Sequence, residues 1–241
     1  MDVVYLFKES EEHDSAELRY SLRSLKNVDH DKVFIVGEKP VWATNVEYIP
    51  VAQTGTKGKN VARNLSVAVG TEAISEDFIM MNDDFFFMKP QSFTGNLHWG
   101  PLRDIIARYG VRYEEDTDYT RNMKQTLELL VSLGFDDPLC YELHVPMILN
   151  KTNMRRMRQE VSGPIYQFRS FYGNYFNVGG VQIEDVKIFL DPRHNDPRYE
   201  EDPAGYLSAQ TLLSATGGSF ARGLVGTYVR QRFSEKSPYE I

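Results

Sequence analysis

Apolar residues in the first third of the chain fall into short runs that polar and glycine-containing stretches separate. Short runs rich in β-branched and aromatic side chains are typical of buried strands. They predict strands at residues 2–7, 33–37, 46–49 and 78–81. Leu18, Leu22 and Leu25 recur at helical spacing, and residues 61–69 predict a second helix. This alternation predicts an α/β fold with a mixed, mostly parallel sheet flanked by helices.

The rest of the chain is richer in helical patterns. The patterns predict helices at 118–133 and 151–160, an aromatic segment at 167–176, a return to the sheet at 181–190 and helix at both ends of 207–233. No repeat or linker interrupts the sequence. We therefore expect a single domain over 1–241, with a first half of 1–100 and a more helical second half of 101–241.

Two carboxylates, Asp83 and Asp84, follow the predicted strand at 78–81. Ionised groups beside an apolar core are costly unless they are paired or bound to a cation. Hard cations prefer carboxylate oxygens, and ligands of open α/β sheets bind at the carboxyl ends of the strands. The pair therefore predicts a site for a divalent cation that holds a phosphorylated substrate. The alternative is a turn in which Asp83 caps the backbone and Asp84 is solvated.

A loop rich in glycine and lysine, residues 54–60, leads into the predicted helix at 61–69. Lys57 and Arg63 lie beside the start of this helix, where free N–H groups and the helix dipole favour phosphate. The alternative is an ordinary basic surface. Asn60 and Asn64 offer their amide groups to ribose or sugar hydroxyls, or else cap the helix.

Composition narrows the function classes. The net charge is 27 − 34 = −7, so the surface as a whole should repel nucleic acid. Cys140 is the single cysteine, which excludes an internal disulfide and fits a reducing compartment. Asp2 and Lys8 interrupt the first apolar stretch, and no apolar run approaches the ~20 residues that span a bilayer. We therefore expect a soluble, cytoplasmic protein.

Several stretches, in order over nearly the whole chain, resemble the sequence blocks of the Stealth proteins. They are Asp2–Tyr5, Glu17–Leu25, Lys32–Trp42, Asn82–Phe86, His144–Pro146, Phe168–Ser170 and Ser237–Glu240. Separately, residues 57–84 resemble the core of the glycosyltransferase A fold, with a glycine-rich loop, Ala-Arg-Asn on a helix and a strand that ends in acidic residues. Tyr5–Ser10 and Gln210–Thr211 depart from the Stealth pattern.

The two resemblances imply the same donor and metal but different reactions. The first implies transfer of sugar-1-phosphate from a nucleotide-activated sugar, and the second implies transfer of the sugar alone. We expect a glycosyltransferase that uses Mn²⁺ or Mg²⁺ and a nucleotide-diphosphate sugar, foremost a UDP-sugar, to modify a hydroxyl of a glycan or protein acceptor. Residues 1–100 would bind the donor and 101–241 would serve the acceptor. Sugar-1-phosphate transfer and a non-catalytic nucleotide-sugar-binding module are the alternatives.

The resemblances also imply roles for particular residues. Asp83 and Asp84 would hold the cation, and Asp84, His144 and Arg169 would be catalytic, with His144 taking the acceptor proton and Arg169 pairing with phosphate. The residues expected to bind substrate are Asp2, Lys57, Asn60, Arg63, Asn64 and Asn82. Structural alternatives exist for Asp2, His144 and Arg169, namely solvation of the chain start, a hydrogen-bonded buried imidazole and a salt bridge.

Overall fold

The computed structural model describes residues 1–9, 15–112 and 117–241. Ser10, in a stretch that departs from the Stealth pattern, lies outside the described residues. The chain divides into two units. Unit 1 comprises Met1–Thr94, His144–Lys151 and Val186–Ile241, and unit 2 comprises Gly95–Leu143 and Thr152–Asp185. A single functional domain with a donor half and an acceptor half stays a prediction.

Strands and short helices alternate through the described residues. The strands are β1 (Asp2–Phe7), β2 (Val33–Gly37), β3 (Glu47–Pro50), β4 (Asp77–Met81), β5 (Phe85–Phe87), β6 (Leu97–His98), β7 (Met147–Asn150), β8 (Val181–Gln182), β9 (Lys187–Ile188) and β10 (Leu212–Ala215). The α-helices are α1 (Ala16–Ser24), α2 (Lys57–Gly70), α3 (Leu102–Arg112), α4 (Asp118–Ser132), α5 (Lys151–Glu160), α6 (Phe168–Tyr175), α7 (Pro197–Glu201), α8 (Pro203–Ala209), α9 (Gly217–Arg222) and α10 (Leu224–Arg232). Leu25–Asn27 and Pro192–His194 are 3₁₀ turns.

The main sheet of unit 1 has the strand order β3-β2-β1-β4-β7. β1 to β4 run parallel, and β7 runs antiparallel to β4. Every residue of β1 and β2 is buried, as their apolar runs predict. The helix α2 packs against both strands. The predicted α/β fold, with a mixed and mostly parallel sheet flanked by helices, is therefore confirmed.

The apolar run after Asp84 forms β5 in a second sheet of unit 1, with the order β5-β10-β9. β10 runs antiparallel to β5 and parallel to β9, so Ser214 lies opposite both Phe85 and Lys187. Around this sheet lies a core that includes Phe86 and Phe220, whose rings stack at 5.7 Å. The sequence prediction missed β10 because the strand is short and buried on both faces, so it shows no alternation of apolar and polar positions.

Two predicted boundaries are wrong. The helix α2 begins at Lys57 rather than at residue 61. Its first turn is stabilised by the Asn60 N–H, which donates to the Thr56 carbonyl at 2.9 Å, so the glycine at position 58 does not delay the helix. The segment 181–190 does not return to the main sheet, because it supplies β8 to unit 2 and β9 to the second sheet of unit 1.

The C-terminal segment packs back on α1. The guanidinium of Arg23 donates two hydrogen bonds to the Glu240 carboxylate, at 2.8 and 2.7 Å. Burial alone would raise the pKa of Glu240, but the hydrogen bonds from Arg23 and Ser237 outweigh it and lower this pKa to about 2. Two of the Stealth-like stretches, Glu17–Leu25 and Ser237–Glu240, are thus in contact, and this contact holds the C-terminal segment on α1.

Unit 2 is mainly helical. The helix α4 packs against α3 and α6, and the Thr117 hydroxyl caps its start by accepting the Thr120 N–H. A two-stranded sheet joins β6 to β8, and the Trp99 indole donates to Glu184 at 3.0 Å. In the described parts of both units, every helix is too short or too polar to cross a bilayer.

Candidate active site

The main sheet has a switch point at β1. From β1 the chain moves to β2 and β3 on one side and then returns to β4 on the other. Ligands of open α/β sheets bind at such a point, outside the carboxyl ends of the strands. An open cavity of about 550 Å³ lies there, lined by residues that end or follow β1 and β4. We call it the carboxyl-edge cavity, and its lining includes Glu17, Lys57, Asn60, Asn64, Asn82, Asp83, Asp84, His144 and Lys187.

Asp83 and Asp84 occupy the tight turn between β4 and β5 and both line the cavity. Burial, and then the neighbouring Asp84 charge, raises the pKa of Asp83 to about 6. Burial acts in the same direction on Asp84, but the charges of Lys187 and His144 outweigh it and lower the pKa of Asp84. Asp84 is therefore a buried, paired carboxylate, and the alternative of a solvated Asp84 is wrong.

The donor set of the cavity fits a hard divalent cation. Two adjacent carboxylates supply the oxygen ligands that Mg²⁺ and Mn²⁺ prefer. Burial, and after it the charge of Asp84, raises the pKa of Asp83, and a bound cation would stabilise the charged form of this carboxylate. In the described ranges, no group of three Asp, Glu, His or Cys side chains forms a metal-ligand set. The arrangement therefore suits a cation shared with substrate phosphates, as is usual for Mg²⁺, and not a closed protein cage.

The start of α2 brings positive charge to the cavity. Lys57 is the first residue of the helix and lines the cavity. No side chain caps the helix, so its first N–H groups receive no hydrogen bond from the cap residue Thr56. These N–H groups and the Lys57 ammonium together favour an anion at this end of α2.

The two asparagines of α2 line the cavity but also hold the preceding loop. The Asn60 side chain accepts the Gly55 N–H at 2.9 Å and donates to the Gly55 carbonyl at 3.1 Å. Asn64 pairs with the side-chain amide of Gln53, with a Gln53 Nε2 to Asn64 Oδ1 distance of 2.9 Å. Both side chains are buried. Their hydrogen bonds show that they position the loop, and their predicted contact with substrate stays a prediction.

His144 and Asn82 also lie where a substrate in the cavity would meet them. His144 precedes β7, and its charge is one of the causes that lower the pKa of Asp84. Its ring meets that of Phe189 edge to face, with centroids 6.4 Å apart. Asn82 directly follows β4, and its carbonyl accepts the Phe85 N–H. The structure thus brings His144, Asn82 and the two aspartates to one cavity although 60 residues separate His144 from Asp84 in the sequence.

Asp2 does not lie at the cavity, and the expectation that it binds substrate is corrected here. It begins β1, whose register places it beside Phe78 at the start of β4. Its two carboxylate oxygens accept the backbone N–H groups of Lys32 at 3.0 Å and Ser75 at 2.7 Å. Because β1 and β4 run parallel, Asp2 lies at the opposite edge of the sheet from Asp83 and fixes the backbone there.

The two arginines expected to contact phosphate have other partners. Arg63 donates from Nη1 to the Ala52 carbonyl at 2.8 Å and to the Thr54 hydroxyl at 3.1 Å, and it does not line the cavity. Arg169 is buried within unit 2, where burial lowers its pKa and the charges of Glu142 and Asp185 act against that shift. These charges agree with the salt-bridge alternative for Arg169.

Sequence reasoning missed several residues that line the cavity, and the electrostatics of two of them, Glu17 and Lys187, involve the aspartates. Glu17 lies in the first turn of α1, and burial, followed by the charges of Asp83 and Asp84, raises its pKa to about 8. The helix that follows β1 starts at the carboxyl edge of the sheet. The position of Glu17 in its first turn could therefore have indicated that this residue lies near the cavity. Lys187 donates to Asp84 at 2.9 Å from a strand that is distant in sequence, and no local pattern indicates that contact.

Comparison with known proteins adds little to this geometry. No protein-family model and no curated protein matches the chain. Among the solved structures that match, the crystal structure of the galactosyltransferase LgtC in complex with donor and acceptor sugar analogues aligns with 98% of this chain and 96% of that chain. The sequence identity is 13% and the TM-score is 0.48. At this level of similarity, function has to be argued from the residues of the cavity.

Proposed function

We propose that the protein is a metal-dependent glycosyltransferase that binds a nucleotide-diphosphate sugar in the carboxyl-edge cavity. One observation carries the proposal: two adjacent carboxylates, a lysine at a helix start and a histidine line the same cavity at the switch point of the main sheet. This combination provides ligands for a cation, a positive site for phosphate and a base. The sequence resemblance to the glycosyltransferase A core supports the same reading.

The charges of the cavity suggest how the donor binds. A divalent cation held by Asp83 and Asp84 would neutralise the diphosphate as it leaves, which is the chemistry that such an ion supplies. Lys57 and the first N–H groups of α2 would bind the phosphate oxygens. Asn60 and Asn64 keep the loop at 53–55 in place, so the phosphate side of the cavity is already organised before the donor binds.

His144 would act on the acceptor. In glycosyl transfer the acceptor oxygen bonds to the anomeric carbon of the sugar, and the bond from that carbon to the phosphate oxygen breaks. His144 would take the proton of the acceptor hydroxyl, and the nucleoside diphosphate would leave with the bonding electron pair. A neutral imidazole can accept that proton, and its place in the same cavity as the aspartates supports this role.

Transfer of sugar-1-phosphate is the second candidate, and a specific observation favours it. Residues from two separate Stealth-like stretches, Asn82–Asp84 and His144, line one cavity. Two further stretches, Glu17–Leu25 and Ser237–Glu240, meet at the Arg23–Glu240 ion pair. In this reaction the acceptor oxygen attacks the sugar-bearing phosphorus, and the phosphorus–oxygen bond to the nucleoside monophosphate breaks. The donor and the predicted cation are the same for both reactions.

The released nucleotide distinguishes the candidates. The protein would be incubated with Mn²⁺, a panel of UDP-, GDP- and CDP-sugars and mixed glycan and protein acceptors, and the products would be separated by chromatography. Release of nucleoside diphosphate supports glycosyl transfer, and release of nucleoside monophosphate supports sugar-1-phosphate transfer. Nucleotide binding without any turnover would favour the non-catalytic alternative, and the absence of both binding and turnover would contradict the proposal.

A further inference from the structure

Lys187 reaches the carboxyl-edge cavity through the pairing of three strands. β9 pairs with β10, which places Lys187 beside Ser214, and β10 pairs with β5, which places Ser214 opposite Phe85, the residue after Asp84. The Lys187 ammonium and the Ser214 hydroxyl both donate to Oδ2 of Asp84, at 2.9 and 3.0 Å. The second sheet therefore fixes a lysine against one oxygen of a predicted metal ligand.

The geometry leaves Lys187 with capacity for a ligand. The side chains of Lys187 and Asp84 are 14% and 13% exposed, so the ion pair is largely shielded from water and holds its geometry better than a surface pair. An ammonium group has three N–H donors. Among the described residues, Lys187 donates to Asp84 alone, and it also lines the cavity. Its other donors can therefore meet a ligand oxygen there.

We propose that Lys187 is a built-in cation of the donor site, which neutralises one oxygen of Asp84 and donates to a phosphate oxygen of the nucleotide sugar. This inference rests on the proposed function. Oδ2 of Asp84 already accepts hydrogen bonds from Lys187 and Ser214. Asp83 and Oδ1 of Asp84 therefore remain for a divalent cation, and this set of oxygens suits one ion and not two. Lys187 also allows some affinity for a diphosphate when no metal is present.

The inference predicts two opposite changes in one variant. In Lys187→Met, the affinity for a nucleoside diphosphate in the presence of chelator should fall about ten-fold or more, the equivalent of one charge-assisted hydrogen bond. The affinity of the nucleotide-free protein for Mn²⁺ should rise, because Oδ2 of Asp84 becomes available and a like charge is removed. A lysine that only stabilises the fold would lower both affinities through loss of folded protein.

Both affinities can be measured on matched variants. Titration calorimetry with UDP, GDP and CDP in chelator gives the first, and electron paramagnetic resonance of Mn²⁺ gives the second. Lys187→Arg keeps the charge and should retain most of the nucleotide affinity. Lys89→Met is the control, because Lys89 donates to the Ala209 carbonyl away from the cavity. If Lys187→Met does not fold, Asp84→Asn with and without Lys187→Met replaces it, and the double variant should bind nucleotide more weakly than Asp84→Asn.

The outcomes separate this inference from the proposed function. If the wild type binds a nucleoside diphosphate in chelator and folded Lys187→Met binds it equally well, the inference is overturned and the proposed function stands. An unchanged or lower Mn²⁺ affinity in folded Lys187→Met would also overturn the role at Asp84. If the wild type binds none of the three nucleoside diphosphates, with or without Mn²⁺, the proposed function and the inference both fail.

Discussion

The aspartates at the two ends of the main sheet have different hydrogen-bond partners. At the amino end, both oxygens of Asp2 accept backbone N–H groups, from Lys32 and Ser75. At the carboxyl end, Asp83 and Asp84 share a buried turn, and Asp84 has side-chain partners, Lys187 and Ser214. In the first arrangement, both oxygens of the Asp2 carboxylate are used to hold the backbone. The second places two carboxylates side by side at a cavity, where burial, and after it the charge of Asp84, raises the pKa of Asp83.

This contrast gives a rule for reading buried carboxylates in a parallel sheet. A carboxylate whose oxygens are all satisfied by backbone N–H groups has a structural role, whatever motif it belongs to. Two buried carboxylates that lie side by side repel each other, and a bound cation would stabilise them. Such a pair beside a cavity therefore indicates a functional site.

Replacing the carboxylate at the cavity should have the largest effect. We expect Asp84→Asn to reduce transfer at least about 100-fold, because a direct metal ligand should matter more than the outer partners whose loss costs 10–100-fold. The amide keeps the shape of the side chain but removes the charge that the cation needs. Turnover is measured with saturating donor and Mn²⁺. Wild-type turnover in folded Asp84→Asn, or full turnover of the wild type in excess chelator, would refute the metal role.

Asp2→Asn is the matched control at the other end of the sheet. It should leave turnover unchanged at temperatures where the protein is folded. One backbone N–H would then face an amide NH₂ group, and losing a charge-assisted hydrogen bond costs about 1.5–3 kcal/mol. For a chain of this size the melting temperature should fall by about 3–12 °C. A large loss of turnover in folded Asp2→Asn would break the contrast between the two ends.

His144→Ala should cut acceptor-dependent turnover by roughly 10²–10⁴, the usual contribution of a general base. Donor affinity should barely change, because the imidazole would act on the acceptor. His30→Ala is the control, since its imidazole bonds to the Val28 carbonyl and the Tyr239 hydroxyl, outside the cavity. If His144→Ala is less stable but equally active per folded molecule, the histidine is structural.

Lys57→Ala should raise KM for the nucleotide sugar about ten-fold and leave kcat nearly unchanged, because a ground-state contact with phosphate is lost. Arg63→Ala should have a smaller effect, since its guanidinium holds residues 52 and 54 and does not line the cavity. Lys59→Ala, an exposed lysine of the same helix turn, serves as the control. Equal KM values for Lys57→Ala and wild type would exclude the phosphate role.

Glu17→Gln should change the pH dependence of stability. The pKa of Glu17 is about 8 in the folded state and 4.5 for an ordinary Glu, so between these values the folded state keeps a proton that the unfolded state loses. Its contribution to stability is therefore greatest below pH 4.5 and is lost as the pH rises to 8. The variant should melt a few degrees higher than wild type at pH 8 in chelator.

The comparison at Glu17 is made by thermal melting from pH 5 to pH 9. Glu47→Gln, at an exposed position of β3, should follow the wild-type curve. If Glu17→Gln also follows that curve, the proton is not held at Glu17, and the negative charge of the cavity is smaller than the geometry implies.

Local sequence patterns predicted the main sheet because its strands are short, buried and bounded by polar residues. They also located Asp83 and Asp84, since two carboxylates after a buried strand are unusual. The misplacement of Asp2 was avoidable from the same information. Asp2 starts β1, and Asp83 follows the end of β4. Because the two strands run parallel and each residue advances the strand by about 3.3 Å, the two aspartates lie at opposite edges of the sheet.

Other features of the site depend on contacts that no local pattern records. Lys187 and Ser214 reach Asp84 from 103 and 130 residues away, through the pairing of β5, β10 and β9. The early start of α2 at Lys57 depends on the hydrogen bonds of Asn60 with Gly55 and Thr56. A glycine-rich sequence does not predict these hydrogen bonds. Such tertiary contacts decide which polar residues face the cavity.

The most direct test is nucleotide binding to the pair of variants that represents the two ends of the sheet. Titration calorimetry with UDP, GDP and CDP, in Mn²⁺ and in chelator, would compare wild type, Asp84→Asn and Asp2→Asn. We predict that Mn²⁺ strengthens binding of at least one nucleotide to wild type and to Asp2→Asn, and that this gain disappears in Asp84→Asn. An equal gain from Mn²⁺ in folded Asp84→Asn would contradict the account.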